Sequence, residues 1–188
     1  TNLNKSQRYN NYHKHTHYSN IKTLDCVSKP EDYIKRAVEL GHTTYFTTEH
    51  GFQGNIYEAH TLCEQYGLKC IYGVEAYYVD DMYDKSSRSN YHLMLVAMND
   101  NGRKEINKIM SLANTEGFYY KPRIDYKTLE KYHEGIVCLS ACLGGDIPQA
   151  IMNRDFEEAE RLVQWFKNLF GDDFYLEVQN HHMPEQVE

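Results

Sequence analysis

CIYGVEAYYV, residues 70–79, is apolar, β-branched and aromatic along nearly its whole length, the composition of a buried strand. TTYFTT, residues 43–48, reads the same way. Between them Ile56, Ala59, Leu62, Cys63 and Tyr66 fall on one helical face, and Gly67 stops the helix. Strand, helix and strand at this spacing make a βαβ unit.

The alternation extends in both directions. Upstream, Ser28-x-x-Glu31 is a capping-box signature with Pro30 in the first turn. Ile34, Ala37, Val38 and Leu40 follow on one face, and Gly41 ends that helix. A short strand is expected near Tyr12–His15, leading into a loop through Asp25. Downstream come a polar, mobile loop (80–90), a strand at Tyr91–Met98 and a helix through Ile106, Ile109, Met110 and Ala113. A short helix near Asp125–Tyr132, a strand at Ile136–Ser140, an amphipathic helix over Asp155–Phe170 and a last strand at Phe174–Val178 complete the pattern. Repeated βα units imply an α/β fold with a largely parallel sheet or barrel.

With 188 residues, 41% hydrophobic and 25% charged, the chain is expected to be one soluble domain. No apolar run has the length of a membrane span and no signal-peptide core opens the chain, so a cytoplasmic, membrane-free protein is expected. The net charge of −7 argues against a broad basic surface for duplex DNA. It leaves open a nucleic-acid substrate drawn locally by metal ions. Five cysteines without framework spacing read as reduced thiols, and no C-x-x-C pair suggests a zinc finger.

The chemistry lies in a dispersed set of metal-type ligands: His13, His15, Asp25, His50, Glu75, His92 and Cys142. Each lies beside a predicted strand, where α/β folds carry their working residues. His13 and His15, two apart, share a face if that segment is extended; the competing reading is a pair of surface histidines. His50 precedes Gly51 at a strand exit, where a plain loop histidine is also expected. Glu75 lies within an apolar strand, where an unpaired carboxylate is costly, so a metal or a buried cation should meet it. His92 opens its strand rather than closing it, which suits a structural histidine as well as a ligand. Cys142 is a zinc-type thiolate or a small buried residue. Asp25 competes with an ordinary turn aspartate. Lys121 and Arg123, beside Tyr120, are candidate phosphate- or base-binding groups, or surface cover.

Taken together, YHKHTHYS, TTEHG, YGVEAYYV, HLMLVAMNDNG, NTEGFYYKPRID, EGIVCLSACLGGDIPQAI and GDDFYLEVQNHHMPEQ resemble the PHP (polymerase and histidinol phosphatase) domain at the N-terminus of bacterial DNA polymerase III alpha subunits. The runs span Tyr9 to Gln186 in the family's order.

The resemblance implies a distorted (β/α)7 PHP barrel with a trinuclear centre of Zn2+ or Mn2+. His13 and His15 would hold the first metal. Glu75 would bridge the first and second and is the candidate catalytic residue, with His92 and Cys142 completing the second. Asp25 and His50 would hold the third. The family often has Asp where Glu49 stands. Its final Asp-x-His is missing from this sequence, so the expected domain is residues 9–188, C-terminally incomplete, with the third site weak or empty. Residues 1–8 are expected to be disordered or an added expression segment.

The implied function is that of a metal-dependent phosphoesterase resembling a 3′–5′ proofreading exonuclease. Its partners would be single-stranded DNA 3′ ends, the remaining polymerase III alpha domains and replisome subunits. No polymerase activity is expected from this chain alone. The rivals are a non-catalytic polymerase module with vestigial metal binding and, more remotely, a small-molecule phosphatase of the histidinol-phosphate type.

Overall fold

A computed structural model of the chain describes residues 9–21 and 23–186; the expectation for residues 1–8 lies outside them. Six α-helices and six strands occur among the described residues, giving an α/β protein. The chain forms two compact units, Thr1–Val74 and Glu75–Glu188.

In the first unit, helix α1 (Pro30–Glu39), strand β1 (Thr44–Thr47) and helix α2 (Ile56–Tyr66) lead to the opening of strand β2 (Lys69–Tyr78). β1 and β2 are parallel, with Thr44 opposite Lys69 and Thr47 opposite Tyr72, as the βαβ pattern requires. Ile34, Tyr45, Ala59 and Cys63 form the buried core, covered by Tyr33, Leu62, Tyr66, Leu68 and Cys70. Gly67 closes α2 at φ +71°, a left-handed conformation that glycine adopts without steric cost.

Two details differ from the sequence reading. The box at α1 is shifted by one residue: Lys29 is the N-cap, and Asp32 accepts its backbone N–H at 2.9 Å. The segment around His13 forms no strand, and the chain bends at His13. The Thr48 hydroxyl meets the Lys14 N–H (3.1 Å) and the Tyr12 and Lys14 carbonyls, so one side chain ties this segment down in place of a backbone ladder.

The second unit contains the end of β2, strand β3 (Tyr91–Ala97), helix α3 (Asp100–Thr115), strand β4 (Arg123–Ile124) and helix α4 (Tyr126–Lys131). Strand β5 (Ile136–Leu139), helices α5 (Asp146–Met152) and α6 (Phe156–Phe170), and strand β6 (Phe174–Tyr175) follow. β4 pairs parallel with β2, and β6 with β5. β3 and β5, however, are antiparallel, with Met94 opposite Leu139 and Ala97 opposite Ile136, so the sheet is mixed.

The start of α3 explains how the chain reverses. Asn99 caps it by accepting the Gly102 N–H at 3.0 Å, and Met98 donates to the Gly135 carbonyl at 2.9 Å. A Cβ at Gly102 would lie 1.8 Å from that carbonyl oxygen, so only glycine lets the first turn of α3 pass the entry to β5. Ile106, Ile109, Met110 and Ala113 of α3, and Ala159, Leu162, Phe166 and Phe170 of α6, are the buried helical faces.

α5 is absent from the sequence reading because Gly144, Gly145 and Pro148 look like a loop; Pro148 sits in the first turn, where proline is tolerated. β6 is two residues long instead of five. No helix is long and apolar enough to cross a membrane.

Arg123 is not the surface group expected. It is 1% exposed, and its guanidinium donates to the carbonyls of Gly117 (3.3 Å), Met82 (3.0 Å), Asp84 (2.9 Å) and Ser87 (3.4 Å), holding the 82–87 loop. Arg123→Met would leave these acceptors without their donor. The expected loss is about 2–4 kcal/mol in urea unfolding, with faster proteolysis inside residues 82–87; a loss below the error of the measurement would show that water replaces the clamp.

Asp146, 5% exposed, opens α5. Burial lifts its carboxyl to about 6; the Ile147 N–H at 2.8 Å pulls the other way, and Asp80 and Glu158 add to the rise. From about pH 4 to pH 6 the native state therefore holds a proton the unfolded chain has lost, and stability falls as pH rises. Asp146→Asn keeps an acceptor for Ile147 and removes the titration. Relative to wild type, the variant is expected to gain up to roughly 3 kcal/mol between those limits and to hold that gain at neutral pH. Parallel unfolding curves at pH 4 and pH 7, with a constant difference, would contradict it.

Candidate metal centre

The first unit brings three of the predicted ligands together. The His15 and His50 rings stack with centroids 4.0 Å apart and planes 10° from parallel. The His13 ring meets that of His15 edge-on at 5.3 Å. Lys14 between them is buried; its ammonium donates to the Phe46 carbonyl and lies 3.8 Å over the Tyr45 ring. Burial pulls its pKa down to about 7, against the attraction of Glu49. Lys14 is buried, whereas its neighbours His13 and His15 are half-buried.

Glu49 organises this group, although sequence reasoning gave it no role; its only signal was an acidic residue beside His50 in the TTEHG run. It is 1% exposed. Its Oε2 accepts the Thr16 N–H (2.9 Å) and the Ser19 hydroxyl, and its Oε1 accepts the Thr16 hydroxyl (2.6 Å) and the Asn55 amide (3.0 Å). Ser19 Oγ also meets His15 Nδ1 at 3.0 Å and the His50 backbone N–H at 3.1 Å.

Asp25 stands differently. It is exposed, and its contacts are local: its N–H donates to Asn20 Oδ1 (2.7 Å) and its carboxylate accepts from Thr23 (3.3 Å).

The second unit joins Glu75, His92 and Cys142. Glu75, 1% exposed, lies 3.0 Å from His92 Nδ1 through Oε1, and the Cys142 thiol reaches the same oxygen at 3.7 Å. Cys142 Sγ is 3.5 Å from His92 Nδ1 and accepts the Gly144 N–H at 3.3 Å. Burial lowers the His92 pKa, but hydrogen bonds to Cys142 and Glu75 outweigh it and bring the ring to about 9.

The antiparallel pairing resolves the position of His92. The start of β3 and the end of β5 lie at the same edge, so a residue opening one strand meets a residue just past the other. The His92 N–H donates to the Gly144 carbonyl at 3.0 Å, extending the ladder to the loop. Ala141, at φ +58°, makes the turn that aims Cys142 back, a conformation rarely held by a residue with a side chain. Lys121 lies 4.1 Å over the Tyr77 ring, whose other neighbour is the His92 ring at 5.4 Å. That places the Lys121 ammonium on a ring that borders the triad.

The first unit thus gathers three imidazoles, and the second a carboxylate, an imidazole and a thiol. Imidazoles with one carboxylate and one thiol fit zinc, and the imidazoles and carboxylate fit manganese.

The PHP domain model matches residues 11–181. The chain belongs to the PHP domain family. Among curated relatives it is 39% identical to the DNA polymerase III subunit alpha of Borreliella burgdorferi, over 95% of this chain and 16% of that protein. It is 38% identical to those of Aquifex aeolicus (96% of this chain, 16% of that protein) and Chlamydia pneumoniae (93% and 14%). The chain thus spans about one sixth of the length of these relatives.

The Cys142 loop is tightly built. A Cβ at Gly145 would lie 2.3 Å from the Ser140 carbonyl oxygen, a backbone atom that cannot easily move. Gly145→Ala is expected to cost about 2 kcal/mol or more and to speed exchange of the His92 amide hydrogen, because the loop holding its acceptor must shift. Unchanged exchange at His92 would show that the loop and β3 are not coupled.

Proposed function

We propose that this chain is the PHP domain of a DNA polymerase III alpha subunit and that it is a metal-dependent phosphoesterase acting on the 3′ end of single-stranded DNA. The observation that carries the reading is the pair of ligand sets. His13, His15 and His50 are gathered in one unit, and Glu75, His92 and Cys142 in the other, each set positioned by buried structure.

Following the family's pattern, His13 and His15 would hold a first Zn2+ or Mn2+. Glu75 would bridge it to a second held with His92 and Cys142, and His50 with Asp25 would hold a third. Asp25 is the weakest member, being exposed. Bound divalent ions would supply Lewis acidity to a phosphodiester and a nucleophile at neutral pH. Lys121, held on Tyr77 beside His92, would receive phosphate charge; Arg123, buried with four hydrogen bonds to carbonyls, is the weaker candidate for that role.

One observation favours a second reading, a non-catalytic module of the polymerase. Glu75, His92 and Cys142 already satisfy one another by hydrogen bonds, so protons alone can hold the triad.

Two measurements separate these readings. In a PHP phosphoesterase, 3′-ended single-stranded DNA shortens in Mn2+ or Zn2+, in this chain or in the full-length polymerase subunit, and Glu75→Gln abolishes shortening in a folded protein. Metal at about a hundred times its dissociation constant should add roughly 2.7 kcal/mol by mass action, so chelation lowers the melting temperature and His13→Ala removes much of that sensitivity. No shortening by either protein, with a melting curve unmoved by verified metal removal, would leave the module reading.

A further inference from the structure

A proton count around Ser19 decides which nitrogen of His15 is available as a ligand. Ser19, 1% exposed, has one hydroxyl proton and two lone pairs. Its hydroxyl meets Glu49 Oε2, and an ionised carboxylate only accepts, so the proton goes there. Ser19 Oγ must then accept from its other neighbours. One is the His50 backbone N–H at 3.1 Å, which is always a donor. The other is His15 Nδ1 at 3.0 Å, which can donate only if it carries the ring proton. The lone pair of the neutral imidazole then belongs to Nε2.

Glu49 is fixed for this task. Its other three donors, the Thr16 N–H, the Thr16 hydroxyl and the Asn55 amide, leave it no freedom to turn from Ser19. The same serine holds the His50 backbone, and the stacked His50 ring lies on the His15 ring. One hydroxyl therefore sets a tautomer and supports the alignment of two rings.

We propose that Glu49, acting through Ser19, is a positioning residue that locks His15 in its Nδ1–H tautomer and presents Nε2 as the ligand atom. This deepens, and rests on, the metal-centre reading above. Metal-bound histidines commonly donate their second N–H to a carboxylate or carbonyl; here a serine relays that bond.

The test uses the 188-residue chain, metal-free and then titrated with Co2+. Nitrogen-15 spectra of the histidine rings should show His15 as Nδ1–H in wild type and in Ser19→Thr, and shifted toward Nε2–H in Ser19→Ala. Co2+ affinity, followed by visible absorption, should fall about 10- to 100-fold in Ser19→Ala and in Glu49→Gln, and stay close to wild type in Ser19→Thr. Circular dichroism identifies any variant that fails to fold; Ser19→Ala, the smaller change, carries the test if Glu49→Gln does. His15 found as Nε2–H in folded wild type overturns the proposal, as does a folded Ser19→Ala that binds Co2+ as tightly as wild type. If wild type keeps the Nδ1–H form yet binds no Co2+, the tautomer assignment stands and the phosphoesterase reading falls.

Discussion

A carboxylate removed from water must be met by donors, and this requirement shapes each of the two candidate ligand sets. Glu49 and Glu75 are each 1% exposed. An unmet carboxylate at such positions would cost more than a small unit can supply. Around Glu49 the chain gathers two hydroxyls, a backbone N–H and an amide. Around Glu75 it gathers an imidazole and a thiol. The difference is chemical. Glu49 is surrounded by groups that only anchor it, whereas the neighbours of Glu75 are of residue types that also bind metals. One carboxylate is held by four hydrogen-bond donors, the other by an imidazole and a thiol.

Strand direction determines which residues can meet that second carboxylate. Had β3 and β5 run parallel, His92 and Cys142 would lie at opposite ends of the sheet. The reversal through α3, made possible by the contact between Gly102 and Gly135, brings them to one edge. Ala141 then completes the approach at the expense of a left-handed backbone. Packing far from the ligands thus decides whether the ligands form a set.

Much of this was legible in the sequence. The βαβ unit, the ends of α2 at Gly67 and the amphipathic faces of α3 and α6 follow from periodicity and local stereochemistry. The ligand types could be named as well, because a glutamate in CIYGVEAYYV has few harmless explanations. What could not be read depends on long-range partners. The Lys14 segment reads as a short strand, but the side chain of distant Thr48 holds it in place of a ladder. Arg123 looked like a surface cation because its four acceptors are carbonyls up to 41 residues away. Helix α5 was hidden by two glycines and a proline whose roles emerge only once the turn before it is placed. Glu49 and Ser19 could be suspected only from adjacency to a ligand, since hydrogen-bond relays leave no periodic trace.

The guanidinium of Arg123 grips main-chain oxygens throughout. Such a clamp senses the path of the 82–87 loop and is blind to the side chains along it. Met82 is buried and restricted by packing, but residues 83–87 face solvent. Their identities can drift while the backbone stays in place. Evolution could therefore rewrite the chemistry of this surface, its charge, its aromatic content or its sites of modification, without renegotiating the fold beneath it.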